Sequence, residues 1–224
     1  MLVTCWSAKG GSGTTTVAVA LAAILARRHD DGCLLVDLGG DVPAVAGLDD
    51  AAPAGIAEWL AGGEQVPADG LARLERPLGA GVRLIPRGSG PIGDLVRARV
   101  LAQVLAADVR PVVVDAGVVV ERDVASPAQE VARLLAVAAG RSLLVTRACY
   151  VALRRAEHLS LRPSGIVLVQ GDGRALGRHD VEQVLGVPVV SELAEDRATA
   201  RRVDHGLLLR HLPRSVERSL RGAV

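Results

Sequence analysis

Lys9-Gly10-Gly11-Ser12-Gly13-Thr14-Thr15-Thr16 is the stretch on which the fold turns. Before it, residues 2–6 form a short apolar run, the pattern of a buried strand. After it, residues 14–28 place Val17, Leu21, Ile24 and Leu25 on one face of a helix. A strand joined to a helix by bunched glycines lets consecutive backbone N–H groups point at one anion. The helix N-terminus adds its partial positive charge. Thr15 and Thr16 then offer hydroxyls to a hard divalent cation such as Mg²⁺. A tight turn that binds nothing uses the same glycines, but this loop falls at the carboxyl end of a strand, where open α/β sheets bind ligands.

Working outward, short apolar runs alternate with helical patterns. Strands are expected at 33–37, 82–86, 111–115, 142–146, 165–170 and 187–190, and helices at 92–107, 127–139, 150–159 and 178–185. Ser126, Pro127 and Gln129 supply an N-cap, a first-turn proline and a capping-box partner. Strands alternating with helices give parallel pairing with right-handed crossovers. The expected fold is therefore α/β, a doubly wound, mainly parallel sheet of about seven strands flanked by helices. The Gly-, Ala- and Pro-rich stretch 41–81 has room for one or two short helices. Without a repeat or linker, the chain reads as one domain over residues 1–224.

Half the residues are hydrophobic, enough for a large core, and Phe is absent, so that core must be aliphatic. Scarce aromatics argue against base-stacking platforms for single strands. A net charge of +1 singles out neither nucleic acid nor membrane. Of 26 basic residues only Lys9 is lysine, and it sits in the glycine loop. Cys5, Cys33 and Cys149 form no paired motif and are expected as reduced thiols, and the His residues show no metal-ligand spacing. A strand starting at Leu2 leaves no space for a signal peptide, and no apolar run reaches membrane length, so a cytoplasmic location is expected.

The loop resembles the deviant Walker A motif K-G-G-x-G-K-[ST]-[ST] of ParA/MinD partitioning and positioning ATPases, matching everywhere except Thr14. Val36-Asp37 looks like the family's second acidic motif, and Val112-Val113-Val114-Asp115 like its Walker B strand. Residues 82–90 resemble the segment L-x-x-L-P-x-G, and residues 185–190 the later V-L-G-x-x-P segment. The resemblance implies binding of ATP and Mg²⁺ and a nucleotide-sandwich homodimer in which Lys9 reaches the partner's phosphates. It further implies that residues 10–13 with Thr14, Thr15 and Thr16 cradle phosphate, that Thr15 binds Mg²⁺ with Asp115 in the outer shell, and that Asp37 assists.

The chain departs from the pattern at three places. Thr14 replaces the lysine that reaches the β- and γ-phosphates. A charged hydrogen bond is worth about 1.5–3 kcal/mol, so affinity should fall by about tenfold to a hundredfold. The acidic motif reads Asp37-Leu38-Gly39 rather than D-x-D, leaving Asp41 as the substitute for the water-orienting carboxylate. The residues after Asp115 are Ala116-Gly117-Val118, without the family's prolines. Losses of this kind weaken hydrolysis more than binding. Lysine-poor loops of this kind also occur in CpaE/TadZ-like members. Two functions are left open: a dimerising switch that positions or partitions cargo with weak hydrolysis, or a non-catalytic scaffold. An NAD(P)-binding Rossmann loop, Gly11-x-Gly13-x-x-Thr16 followed by Asp37, leaves Lys9 unexplained.

Partners follow from the same resemblance: a second copy, a protein adaptor or cargo, and nonspecific DNA through Arg201, Arg202, Arg210, Arg214, Arg218 and Arg221. A solvated helix face is the plainer expectation for those arginines at this net charge. The stripe Leu207, Leu208, Leu209, Leu212, Val216 and Leu220, interrupted by Pro213, is expected to dock on the core or a partner and not to enter a membrane. Arg147, Arg154 and Arg155 read as surface charges or as contacts to DNA or a partner.

Overall fold

A computed structural model describes residues 1–48, 54–63, 67–121 and 125–224. Strand β1 (Leu2–Ser7) leads through the glycine loop into α1 (Thr14–Ala26), then β2 (Cys33–Asp37), α2 (Val42–Ala46) and α3 (Ile56–Ala61). A 3₁₀ turn (Ala68–Leu74) precedes β3 (Arg76–Gly79), β4 (Val82–Ile85), α4 (Leu95–Ala107) and β5 (Val112–Val118). The chain continues with α5 (Pro127–Ala138), β6 (Arg141–Arg147), α6 (Tyr150–Glu157), β7 (Gly165–Gln170), α7 (Arg178–Leu185) and β8 (Val189–Ala194). Helices α8 (Arg197–Asp204) and α9 (Arg214–Leu220) and a last 3₁₀ turn (Arg221–Ala223) close it.

The strands form one eight-stranded sheet in the order β3-β4-β2-β5-β1-β6-β7-β8. All neighbours are parallel except the β3–β4 hairpin. Because side chains alternate across a strand, each strand feeds two cores. Leu34, Val36, Val112, Val114, Leu144 and Ile166 face α3 to α7. Val3, Cys33, Leu35, Val113, Leu143 and Val167 face α1, α2 and α9. Burial on both faces is what makes these strands read as unbroken apolar runs. Helix α1 lies between the sheet and other helices, so ten of its 13 residues are buried and it lacks the polar stripe of a surface helix. Two polar side chains of β1 are paired inside: Thr4 Oγ1 donates to the Leu135 carbonyl (3.2 Å), and Trp6 Nε1 to Ser142 Oγ (2.9 Å).

The topology sets the ligand crevice. From β1 the chain crosses to β2 on one side, while the crossover after β5 passes over β1 to β6 on the other. The switch in direction leaves an opening above the carboxyl ends of β1, β2 and β5, where the glycine loop lies. The expected doubly wound α/β sheet is thus present, with β3 as the added strand. Strand β5, expected to end at Asp115, runs on to Val118, so that aspartate lies inside the strand and not at its end. The edge strand β8 starts two residues later than expected and continues to Ala194. Leu208, Leu209, Leu212, Val216 and Leu220 dock on the α1 side of the core. No helix among the described residues is long and apolar enough to cross a membrane.

Candidate functional site

The loop takes its shape from two left-handed glycines, Gly11 at φ 75° and Gly13 at φ 91°, a region that other residues enter only at a cost. Buried Ser12 tightens the turn by donating from Oγ to the Lys9 carbonyl at 2.7 Å. Its hydroxyl is therefore engaged within the loop, and its contribution to an anion is the backbone N–H. Gly13 caps α1 without a side-chain bond, and the first helix bond runs from Val17 N–H to the Gly13 carbonyl at 3.0 Å. The N–H groups of Thr14, Thr15 and Thr16 precede that bond, at the positive end of the helix. They open on a cleft of about 380 Å³ lined by Ser7, residues 10–16, Asp41, Val45 and Val118. That volume lies within the range of small-molecule sites, roughly 300–1,000 Å³.

Two buried carboxylates underlie this cleft. Asp37 and Asp115 are register partners on β2 and β5, and both are fully buried. They converge beneath Gly39, where a Cβ would lie 3.8 Å from Asp37 Oδ1 and 3.8 Å from Asp115 Oδ2. Asp37 accepts from Gly40 N–H (2.7 Å) and Val42 N–H (3.2 Å), so it holds the turn into α2. Burial, followed by the charge of Asp115, pushes Asp37 up to about 7, against the pull of those two donors. Asp115 accepts from Gly117 N–H at 3.1 Å through Oδ1, while its buried Oδ2 has no hydrogen-bond partner. Burial raises Asp115 to about 6, opposed by the neighbouring Thr15 hydroxyl and the Gly117 N–H. A buried, unsatisfied carboxylate oxygen next to a helix-start threonine is a donor set suited to Mg²⁺ and its bound water.

The structure gathers Gly10 to Thr16, Asp37, Asp41 and Asp115 at one crevice, with Asp41 exposed on its rim and its carboxylate not used to cap α2. Lys9 stands apart: among the described residues its Nζ donates to the Gly10 carbonyl alone, at 3.4 Å. Thr14 is buried, so no side chain fills the place of a phosphate-binding lysine from within the loop. The engagement of Asp37 with its own turn removes it as the ribose ligand that a Rossmann loop needs.

A second cleft, missed in the sequence, adjoins the first and shares Gly13 and Thr16 with it. Val169, Leu193, Ala200 and Val203 give it apolar walls, and Arg147 and Glu195 lie at its edge. Asp196 is committed to capping α8, accepting from Ala198 N–H, Thr199 N–H and the Thr199 hydroxyl. Arg147 is not a free surface charge: its guanidinium meets Glu195 at 2.8 Å. These residues come from three strand ends and a helix, and no local motif announces them. The only available signal was the parallel sheet itself, which brings the ends of β6, β7 and β8 together.

Solved structures with this fold include the MinD cell division protein of Aquifex aeolicus, at TM-score 0.74 and 17% identity over 100% of this chain and 98% of that one. The septum site-determining protein MinD of Pyrococcus horikoshii, complexed with Mg-ADP, gives 0.71 and 18% over 100% and 94%. Cyanothece McdA gives 0.72 and 16% over 100% and 99%. A comparison with curated protein sequences gives no match. At these identities the structures speak for the fold alone, but a family model, the CobQ/CobB/MinD/ParA nucleotide binding domain, matches residues 3–209, and the chain belongs to that family.

Proposed function

We propose that this chain is a nucleotide-dependent, dimerising positioning protein that binds ATP with Mg²⁺ and hydrolyses it slowly. The observation that carries this reading is the glycine loop opening on a cleft beside the unsatisfied Oδ2 of Asp115. The N–H groups of residues 10–16 would hold phosphate oxygens, and the Thr15 hydroxyl would ligate Mg²⁺ with Asp115 holding its water. Bound there, Mg²⁺ would neutralise phosphate charge and polarise the transferred phosphoryl group. Asp41 on the rim is the carboxylate left to orient a water, since Gly39 offers none. Lys9, half-buried and loosely held, would reach the phosphates of a second copy. Positioning of a cargo accords with relatives such as McdA, MinD and a plasmid partition protein from Borrelia burgdorferi bound to AMPPNP.

A second reading has an observation of its own. Among the described residues lining the phosphate cleft there is no Arg or Lys, and Asp41 is negative. A scaffold that has retired its nucleotide would look the same. Calorimetric titration with a slowly hydrolysed ATP analogue and Mg²⁺ separates the two. Binding in the micromolar range is expected; its absence up to millimolar analogue would leave the scaffold.

A further inference from the structure

The two clefts meet at Gly13 and Thr16, so they form one groove over the N-terminus of α1. Its lining carries four carboxylates, Asp41, Glu195, Asp196 and Asp204, and among the described lining residues a single cation, Arg147. A nucleotide laid along this groove brings several negative charges into a negative channel. Thr14 supplies none of the required positive charge, and Lys9 points away to the Gly10 carbonyl. Resting on the nucleotide reading above, we propose that Arg147 binds the phosphate oxygens of that nucleotide and supplies the charge the loop lacks at Thr14.

Position and bonding favour this role. Arg147 ends β6, the strand hydrogen-bonded to β1, and so stands next to the loop that β1 feeds. Its guanidinium pairs with Glu195, and the two side chains are 34% and 46% exposed. A pair so open to water is held weakly and is easily exchanged for a stronger ligand. The Arg147 Nε is buried without a hydrogen bond, which leaves the guanidinium with donors to spare. A planar guanidinium matches phosphate oxygens two at a time, and such charge-assisted bonds outcompete an exposed carboxylate pair.

The experiment is calorimetric titration of the full chain with Mg²⁺ and a slowly hydrolysed ATP analogue, run on the parent, Arg147→Gln, Arg147→Lys and Arg147→Gln/Thr14→Lys. Arg147→Gln is expected to weaken binding by about tenfold or more. Arg147→Lys should retain most of the affinity, because it keeps the charge. Restoring a lysine at position 14 should offset the loss in Arg147→Gln by returning a positive charge to the same phosphates, while rescue by Arg147→Lys is the readout that a merely structural role would not give. Binding by Arg147→Gln within about twofold of the parent overturns the proposal and leaves the nucleotide reading intact. A loss that neither Arg147→Lys nor the position-14 lysine relieves also overturns it. A parent protein that binds no analogue overturns both.

Discussion

Asp37 and Asp115 put two carboxylates side by side in the core, an arrangement that burial and mutual repulsion both oppose. The ordinary value for such a group is 3.8, and Asp37 is raised to about 7. Between those limits the folded protein holds a proton that the unfolded chain has released, so unfolding free energy falls as pH rises. The fold is stabilised by protonation below the ordinary value, and that advantage is lost as pH climbs through about 7. Asp115, raised to about 6, adds a slope of the same sign. We therefore expect the melting temperature of the nucleotide-free protein to drop from mildly acidic to mildly basic pH. The free-energy difference should be on the order of 2–4 kcal/mol. Asp37→Asn keeps an oxygen for one of the Gly40 and Val42 N–H groups, loses the acceptor for the other and cannot ionise, so it should be less stable than its parent but its melting curve should flatten over the same window. A variant as pH-sensitive as its parent would show that the pair is not the source. Mg²⁺ with nucleotide should flatten the parent's curve as well, by stabilising the ionised form of Asp115.

At the scale of elements, the two walls of the groove are tied together through glycine. The backbone after α8 packs on the C-cap of α2, and a Cβ at Gly206 (φ 64°) would lie 2.3 Å from Gly47 Cα. Both backbone strain and the clash act against any larger residue, so Gly206→Ala should destabilise the fold by about 2 kcal/mol or more. It should also weaken nucleotide binding, because α2 follows the Asp37 turn and α8 lines the apolar cleft; thermal melting and titration of the one variant check both. Neither this contact nor the cleft was legible in the sequence, since each joins segments more than a hundred residues apart. What was legible has a local cause. The strands buried on both faces announced themselves as apolar runs, and Ser126 with Gln129 forms the capping box that its spacing promised, at 3.4 and 2.9 Å. Strand β3 escaped because Arg76, Pro77 and Gly79 show no apolar alternation and pair antiparallel through the tight turn at Ala80 and Gly81. The edge strand β8 alternates buried with exposed residues through Ser191 and Glu192, and a search for continuous apolar runs cut it short. Of the site, the loop and its two aspartates could be read because they are contiguous motifs, whereas the Arg147–Glu195 pair needs the sheet to exist first.

The whole molecule presents the loop at an open surface, and that decides what a second copy can contribute. Lys9 makes one long bond to its own chain and is otherwise free to leave the monomer. A half-buried side chain whose charged end makes one long bond contributes little to folding, so Lys9→Ala should change monomer stability by less than about 0.5 kcal/mol. An effect on assembly would then report on a contact made between copies and not on a damaged fold. The exposed arginines at 201, 210, 214 and 218 make a useful contrast, because Arg201 and Arg218 donate to carbonyls of their own helices, α8 and α9. They stand exposed in the segment 201–218, whereas Lys9 belongs to the glycine loop. In sedimentation with Mg²⁺ and a slowly hydrolysed ATP analogue, the parent should shift toward dimer and Lys9→Ala should remain monomeric at the same saturation. Neutralising Arg210 and Arg214 together should leave that shift intact. A Lys9→Ala protein that dimerises as readily as its parent would assign the assembly to some other surface and leave Lys9 as a solvated loop residue. Dimerisation that is full without nucleotide and indifferent to Lys9 would favour the scaffold, with the glycine loop kept for its turn alone.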